Sequence, residues 1–308
     1  MQFSVTILGS NSALPTSERF PTAQVLNVSE RFFLIDCGEG TQMQLRNNHI
    51  RFTRINHIFI SHLHGDHCFG LMGLISTLGL LGRTADLHIY GHADLEKVYR
   101  PQLAYFCQDM KYQVVFHPVD TSVSSLVYED NKVTVTSIPL KHRVPACGYL
   151  FREKPYDRHL IKQKITEYGI PVSAIPGIKK GADFWCHDGR LIPNEELTSP
   201  GPRSRSYAFC SDTKYNESMV PIIENVDLLY HESTFLNGDE ALARKTFHST
   251  ARQAAEIAAK AQAGRLLLGH FSTRYKDLSR FQQEAAEVFP NCSLALEGMV
   301  FDLPWQNQ

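Results

Sequence analysis

The sequence predicts an α/β layered fold, and three observations carry that prediction. Short β-branched runs bounded by turn residues alternate with longer helix-like runs along the chain. Ligand-type side chains stand just past the ends of several strand-like runs, as in layered folds whose strand ends gather on one rim. The 308 residues, 43% apolar and 20% charged, are globular in composition and suffice for one large α/β domain or two smaller ones.

Residues 3–8, 23–28, 31–35 and 55–60 read as strands, each short and rich in Val, Ile, Leu and Phe. A helix is predicted from 65 to 80. Strands follow at 87–90, 112–116 and 133–138, with a helix over 95–106 between the first two. The pattern stops near 152. From Arg152 to Arg205 there are ten Lys/Arg, seven Asp/Glu, frequent Pro and Gly, and few apolar runs, which reads as an inserted arm. Strands at 207–210, 226–230, 265–268 and 293–296 then resume, with an Ala-rich helix at 250–261 and another at 278–288.

The formal charge of −1, from 31 basic and 32 acidic residues, excludes a wholly basic nucleic-acid coat but leaves room for a local basic patch. The start, MQFSVTILGS, lacks a basic n-region, and the longest apolar stretch, 68–82, is too short to span a bilayer, so no membrane association is expected. Seven cysteines lie far apart without a C-x-x-C pair, which fits reduced thiols in a cytoplasmic protein.

Histidine is the informative excess, with 14 residues. After the strand at 55–60 comes Ser61-His62-Leu63-His64-Gly65-Asp66-His67, four ligand-type side chains within six residues. His62 and His64 project together from an extended segment. Gly65 permits a sharp turn into a helix that presents Asp66 and His67. Imidazole and carboxylate are the ligands of catalytic zinc sites. Other candidates also follow strand ends: Asp36, His142, Asp212, His231-Glu232 and His270. Each taken alone is more often a capping or hydrogen-bonded residue, but together they supply ligands for two metals.

The H-x-H-x-D-H pattern after an apolar strand, with single His, Asp and His downstream, resembles the metallo-β-lactamase superfamily. Within it the chain resembles the short-form ribonuclease Z family of tRNA 3′-processing endonucleases. The matching stretches are residues 33–40, Ser61 to His67, Lys141-His142 through Gly148-Tyr149, Ser211-Asp212-Thr213, His231-Glu232-Ser233-Thr234-Phe235, His248-Ser249-Thr250 and Leu268-Gly269-His270-Phe271. They run in family order over nearly the whole chain. The resemblance implies an αββα sandwich, a single metallo-β-lactamase-fold domain over 1–308 with an inserted exosite arm at about 152–205.

It also implies a site with two Zn²⁺ per subunit. His62, His64 and His142 would hold one zinc, Asp66, His67 and His270 the other, and Asp212 both, with Asp36 orienting a ligand histidine. Asp66 would be the general base. Glu232 and His248 would form the proton-donor pair, while Ser249-Thr250 also suits a helix N-cap. The implied reaction is endonucleolytic removal of the 3′ trailer from precursor tRNA, leaving a 3′-OH on the tRNA and a 5′-phosphate on the trailer. Lys162, Lys164, Lys179 and Lys180, with Arg152 and Arg158, would contact tRNA phosphates from the arm, and a homodimer is implied.

Two departures from the family pattern stand out. Residues 172–177 interrupt the arm's glycine-proline pattern, so its tip is expected to fold differently. In the loop Pro15-Thr16-Ser17-Glu18-Arg19-Phe20, Arg19 remains as a substrate contact, but Ser17 and Phe20 replace a lysine and an asparagine associated with rejecting a 3′ CCA. Weakened discrimination against CCA is expected. The competing enzyme reading is another dinuclear zinc phosphodiesterase or thioesterase of the same fold, which would need neither the arm nor His-Ser-Thr. A non-catalytic RNA-binding scaffold would not need the complete ligand set.

Overall fold

The computed structural model describes residues 2–305. The described residues separate into two compact units, residues 2–152 with Ser206–Leu303, and Glu153–Arg205 with Pro304 and Trp305. In chain order the strands are β1 (Phe3–Gly9), β2 (Ala23–Val28), β3 (Arg31–Ile35), β4 (Ile55–Phe59), β5 (Leu87–Gly91), β6 (Val114–Pro118), β7 (Leu126–Glu129), β8 (Val133–Pro139), β9 (Cys147–Glu153), β10 (His159–Leu160), β11 (Phe184–Trp185), β12 (Leu191–Ile192), β13 (Thr198–Ser199), β14 (Ser206–Cys210), β15 (Leu228–Glu232), β16 (Leu266–Gly269), β17 (Cys292–Leu294) and β18 (Val300–Asp302). The helices are α1 (Thr41–Asn47), α2 (Gly65–Cys68), α3 (Leu71–Leu80), α4 (Asp94–Phe106), α5 (Lys162–Glu167), α6 (Ile175–Lys179), α7 (Asn194–Leu197), α8 (Glu240–Thr246), α9 (Ala251–Lys260) and α10 (Ser279–Ala286).

The larger unit holds two seven-stranded sheets, ordered β18-β1-β2-β3-β4-β5-β6 and β17-β16-β15-β14-β9-β8-β7. Their facing sides enclose a core with Phe33, Phe59, Tyr149, Phe151, Phe209 and Tyr230. A second cluster packs the first sheet against α3 and α4 through residues such as Ile58, Leu74, Leu78 and Leu95. A third packs the second sheet against α9 and α10 through Leu229, Ala254, Ala258, Leu268 and Phe281. The layers are thus helix, sheet, sheet, helix, the αββα sandwich. Each buried Leu, Ile or Phe contributes on the order of 1.5–3 kcal/mol of transfer free energy.

The inner strands β3 and β4 run parallel, as do β14, β15 and β16. Their C-terminal ends bring residues 36, 61–67, 211–213, 232–234 and 270 to one rim, where ligands bind in layered α/β folds.

Some elements differ from the expectations above. The helix expected over 65–80 is broken at Phe69-Gly70 into α2 and α3. Gly70 donates its N–H to the Cys37 carbonyl at 2.9 Å, and a Cβ there would lie 2.1 Å from the Gly38 oxygen. The strand expected at 226–230 runs two residues later, so His231 and Glu232 end β15 instead of following it. β7 and β9 were not foreseen. β9 is buried along almost its whole length, and its apolar run CGYLF lacks alternation. Thr250 caps α9 in a capping box with Gln253, as the Ser249-Thr250 pattern predicts.

The smaller unit has its own apolar cluster of Ile170, Ile178, Ile192 and Leu197. β10 pairs with β13 and β11 with β12, both antiparallel. Buried Asn194 ties the unit together by donating Nδ2 to the carbonyls of Ile178 and Ala182 at 2.7 and 2.8 Å. A buried ion pair closes its base, Arg205 Nη2 to Glu153 Oε1 at 2.7 Å. The stretch 172–177, singled out above as a departure, forms a short 3-10 turn at Val172–Ala174 leading into α6. No helix among the described residues is long and apolar enough to cross a membrane.

Candidate metal centre and proton-donor pair

The rim residues lie where strands end and the backbone turns hard. Asp36, Asp212 and His270 all have positive φ, at 55°, 23° and 60°, as does Phe247 at 62°, just before His248. Left-handed backbone at non-glycine residues is costly and persists where surrounding contacts impose it.

The candidate ligands fall into three overlapping groups, the third being Asp212, His248 and His270. His62, His64, His142 and Asp212 bring ligand atoms together, and so do Asp66, His67 and His270. Asp212 Oδ2 lies 3.5 Å from His62 Nε2 and 3.6 Å from His142 Nε2. Its Oδ1 lies 3.2 Å from His67 Nε2 and 3.1 Å from His270 Nε2. Asp66 Oδ2 is 3.5 Å from both His67 Nε2 and His270 Nε2.

Hydrogen-bond accounting shows which nitrogen of each ring is free. A carboxylate can only accept, so Ser61 Oγ gives its proton to Asp36 Oδ2 at 2.8 Å and accepts from His62 Nδ1 at 3.0 Å. His67 Nδ1 donates to Asp36 Oδ2 at 2.7 Å, and Ser61 N–H donates to Asp36 Oδ1 at the same distance. His142 Nδ1 donates to the Phe247 carbonyl at 3.1 Å. Thr234 Oγ1 donates to Glu232 Oε2 at 2.7 Å and accepts from His270 Nδ1 at 2.9 Å. Each of these four rings, when neutral, therefore carries its lone pair on Nε2.

Those Nε2 atoms converge with other ligand atoms. His62 Nε2 and His142 Nε2 lie 3.0 and 3.1 Å from His64 Nδ1. His67 Nε2 and His270 Nε2 are buried with no hydrogen-bond partner. Converging unprotonated nitrogens and carboxylate oxygens repel unless a cation lies among them, so the residues present fit metal binding. Burial works against charge on Asp66 and Asp212, but the neighbouring histidines, His67 first for Asp66 and His270 first for Asp212, hold both carboxyls well below the usual range, and with no cation among them the same carboxylates overcome burial and hold His67 well above its own. Both carboxyls are ionised, as ligands must be.

Glu232 and His248 stand beside this cluster. His248 Nδ1 is 2.8 Å from Glu232 Oε1. Glu232 is fully buried and accepts backbone N–H groups from Thr213 at 2.8 Å, Ser249 at 3.1 Å and Thr234 at 3.2 Å. Burial opposes a charge on His248, but the Glu232 carboxylate outweighs it and raises the imidazole to about 9. His248, Asp66, His64, Arg143, Phe69 and Phe235 all line one cavity of about 550 Å³.

The remaining sequence-predicted residues lie elsewhere. Arg19 Nη2 donates to the Tyr275 carbonyl at 3.3 Å, and its loop is pinned where Ala13 N–H meets Asp66 Oδ2 at 2.8 Å. Ser17 is exposed, while the Phe20 ring packs over Gly40. Lys162 and Lys180 are exposed and Lys179 is half-buried. Lys164 pairs with Glu167 at 2.9 Å. Arg152 is exposed, and Arg158 Nε donates to Thr198 Oγ1 at 2.6 Å. Sequence reading missed the hydroxyls of Ser61 and Thr234. Each adjoins a ligand or carboxylate motif in the sequence, and that adjacency was the available signal. The Phe247 carbonyl left no signal, since any residue supplies one.

Comparisons with known proteins bear directly on this site. The chain is 53% identical to a ribonuclease Z of Phocaeicola vulgatus over 96% of each chain. It is 54% identical to a ribonuclease Z of Porphyromonas gingivalis strain W83, covering 98% of this chain and 99% of that one. The crystal structure of human tRNase Z, short form, superposes with a TM-score of 0.72 at 27% identity, covering 98% and 99% of the two chains. The metallo-β-lactamase fold protein YhfI from Bacillus subtilis shares the fold, with a TM-score of 0.69 at 20% identity over 98% and 100%. Residues 3–104 also match the family model for the anti-Pycsar protein Apyc1. With more than half of its residues shared over nearly full length, the chain belongs to the ribonuclease Z family.

Proposed function

We propose that this protein is a metal-dependent endoribonuclease that removes the 3′ trailer from precursor tRNA, leaving a 3′-OH on the tRNA and a 5′-phosphate on the trailer. The observation that carries this reading is His248, paired with buried Glu232, lining the same cavity as His64, Asp66, His142, Asp212 and His270. A phosphodiesterase acting on a ribose leaving group needs a positioned acid there. His248 supplies it: Glu232 holds Nδ1, and Nε2–H is the proton delivered to the departing 3′-oxygen.

Two Zn²⁺ per subunit are proposed, one held by His62, His64 and His142, the other by Asp66, His67 and His270, with Asp212 shared. Bound there, they supply hydroxide near neutral pH and stabilise charge on the phosphoryl oxygens. Asp66, whose Oδ2 lies 3.5 Å from both His67 Nε2 and His270 Nε2 and which lines the cavity, is the proposed acceptor of the nucleophile's proton. Asp36 and Ser61 orient His67 and His62.

Lys162, Lys164, Lys179 and Lys180 are proposed to contact tRNA phosphates from the unit 153–205, and Arg19 to contact the substrate near the cut. The exposure of Lys162 and Lys180 supports this assignment more than that of Lys164, which already pairs with Glu167. A homodimer and a cytoplasmic site of action complete the proposal. The seven unpaired cysteines are consistent with that compartment.

The test is to map the cut on matched precursor tRNAs with and without an encoded CCA, using the full chain and a variant lacking residues 154–202. The full chain should cut at the 3′ side of the tRNA body and process the CCA substrate measurably. The deletion should spare hydrolysis of bis(p-nitrophenyl) phosphate and cripple tRNA cleavage. Hydrolysis of the small diester with no cleavage of either tRNA by the full chain would overturn the reading.

A further inference from the structure

Thr234 touches both halves of the catalytic machinery. Its Oγ1 lies 2.7 Å from Glu232 Oε2, 2.9 Å from His270 Nδ1 and 3.3 Å from His248 Nδ1. Its backbone N–H also donates to Glu232 Oε2 at 3.2 Å. The residue is 2% exposed, so water does not compete for these bonds. A hydroxyl has one proton. The Glu232 carboxylate takes it, and the oxygen's lone pair is left to accept from His270 Nδ1–H. That arrangement forces the His270 tautomer whose Nε2 faces Asp66 and Asp212.

We propose that Thr234 is a positioning residue that joins the metal ligand His270 and the Glu232–His248 pair into one hydrogen-bonded unit, so that holding the metal and aiming the proton donor depend on a single hydroxyl. This rests on the function proposed above. The first sheet offers a parallel: Ser61 Oγ donates to Asp36 and accepts from His62 Nδ1. There, however, every histidine served is a metal ligand. The Thr234 hydroxyl instead links a metal ligand to the acid. Valine in its place keeps the shape and loses the proton, leaving His270 free to turn over and Glu232 short of one donor. Serine keeps the hydroxyl.

The experiment compares zinc-loaded wild type with Thr234→Val and Thr234→Ser. Zinc affinity is read by competition with a chromophoric chelator. Turnover at saturating zinc is read on precursor tRNA and on bis(p-nitrophenyl) phosphate, whose nitrophenolate leaves without an acid. Thr234→Val should bind its weaker zinc about 10–100-fold less tightly, the usual effect of removing a ligand's hydrogen-bond partner. At saturating zinc its kcat on precursor tRNA should fall at least about tenfold with KM unchanged, a larger fall than its kcat on the small diester shows. Thr234→Ser should restore affinity and kcat together. Wild-type affinity and kcat in Thr234→Val would overturn the proposal. So would a Thr234→Ser protein as impaired as the valine variant, because packing and not the hydroxyl would then be at work. Failure of the wild type itself to cut precursor tRNA would instead count against the proposed function, and the zinc comparison would still test the His270 link.

Discussion

Histidines crowd two places in the larger unit, and the two crowds behave oppositely. At the strand-end rim, His62, His64, His67, His142, His248 and His270 stand among Asp36, Asp66, Asp212 and Glu232. On the inner face of β4, β5 and β6, His57 stacks on His88 with centroids 5.2 Å apart, and His88 Nδ1 lies 2.9 Å from His117 Nε2. The partners there are aromatic: Tyr128 lies 4.5 Å from the His57 ring, and Tyr90 stacks on His117 at 4.4 Å. At the rim, carboxylates and hydroxyls fix which nitrogen is bare and keep His248 charged. In the ladder, burial first and the neighbouring His88 next push His57 down to about 4. Histidine density alone is therefore not a site. Acceptors that set tautomer and charge turn imidazoles into ligands and acids.

The largest effect that tests this contrast is expected at Asp212, which faces both ligand groups. Asp212→Ala should lose tRNA cleavage and weaken retention of metal in both groups, while His88→Ala keeps the full metal content. Elemental analysis after gel filtration distinguishes them. Near-normal cleavage by a metal-replete Asp212→Ala protein would sink the shared-carboxylate reading, and metal lost from His88→Ala would break the contrast.

A smaller effect is expected from the acid. His248→Ala should keep zinc content and tRNA binding but lose roughly 10²–10⁴-fold in kcat, the usual worth of a positioned proton donor. Single-turnover kinetics with parallel binding measurements check this. Loss of zinc instead would mean that His248 belongs with the ligands.

The smallest effect belongs to the ladder. His57 faces Phe33, His88, Tyr90 and Tyr128, with Asp130 raising its affinity for a proton and His117 and Arg83 lowering it. Its folded pKa lies below the unfolded value, so the unfolded chain binds the extra proton. Stability from this residue is full above about pH 6.5 and is lost as pH falls toward about 4, a change on the order of 2–3 kcal/mol. His57→Phe should flatten the fall in denaturant midpoint across that window. An unchanged slope would show that the ladder's histidines do not carry the acid sensitivity.

Much of the candidate site was legible because its candidate ligands come in local clusters beside strands. His62, His64, Asp66 and His67 lie within six residues, and Asp36, Asp212 and His270 each follow an apolar strand. The bounds of β2 and β3 were readable from their β-branched runs and flanking turns. β9 was not, because a strand buried on both faces shows no alternation. The break between α2 and α3 was hidden too, since it comes from Gly38, far away in the chain, pressing on Gly70.

By itself, the sequence determined the layered class, the inserted segment near 152–205 and the residue types able to hold metal, because periodicity and composition are local properties. Tertiary structure decided which way each imidazole faces. The proton accounting runs through Asp36 to Ser61, Phe247 to His142, and Glu232 through Thr234 to His270, pairs separated by as many as 105 residues. It also decided that His57, His88 and His117 form a ladder and not a site. A hydrogen bond depends on distance and direction in space, and the pairing of strands within each sheet, with the loops at its rim, brings those donors and acceptors within reach.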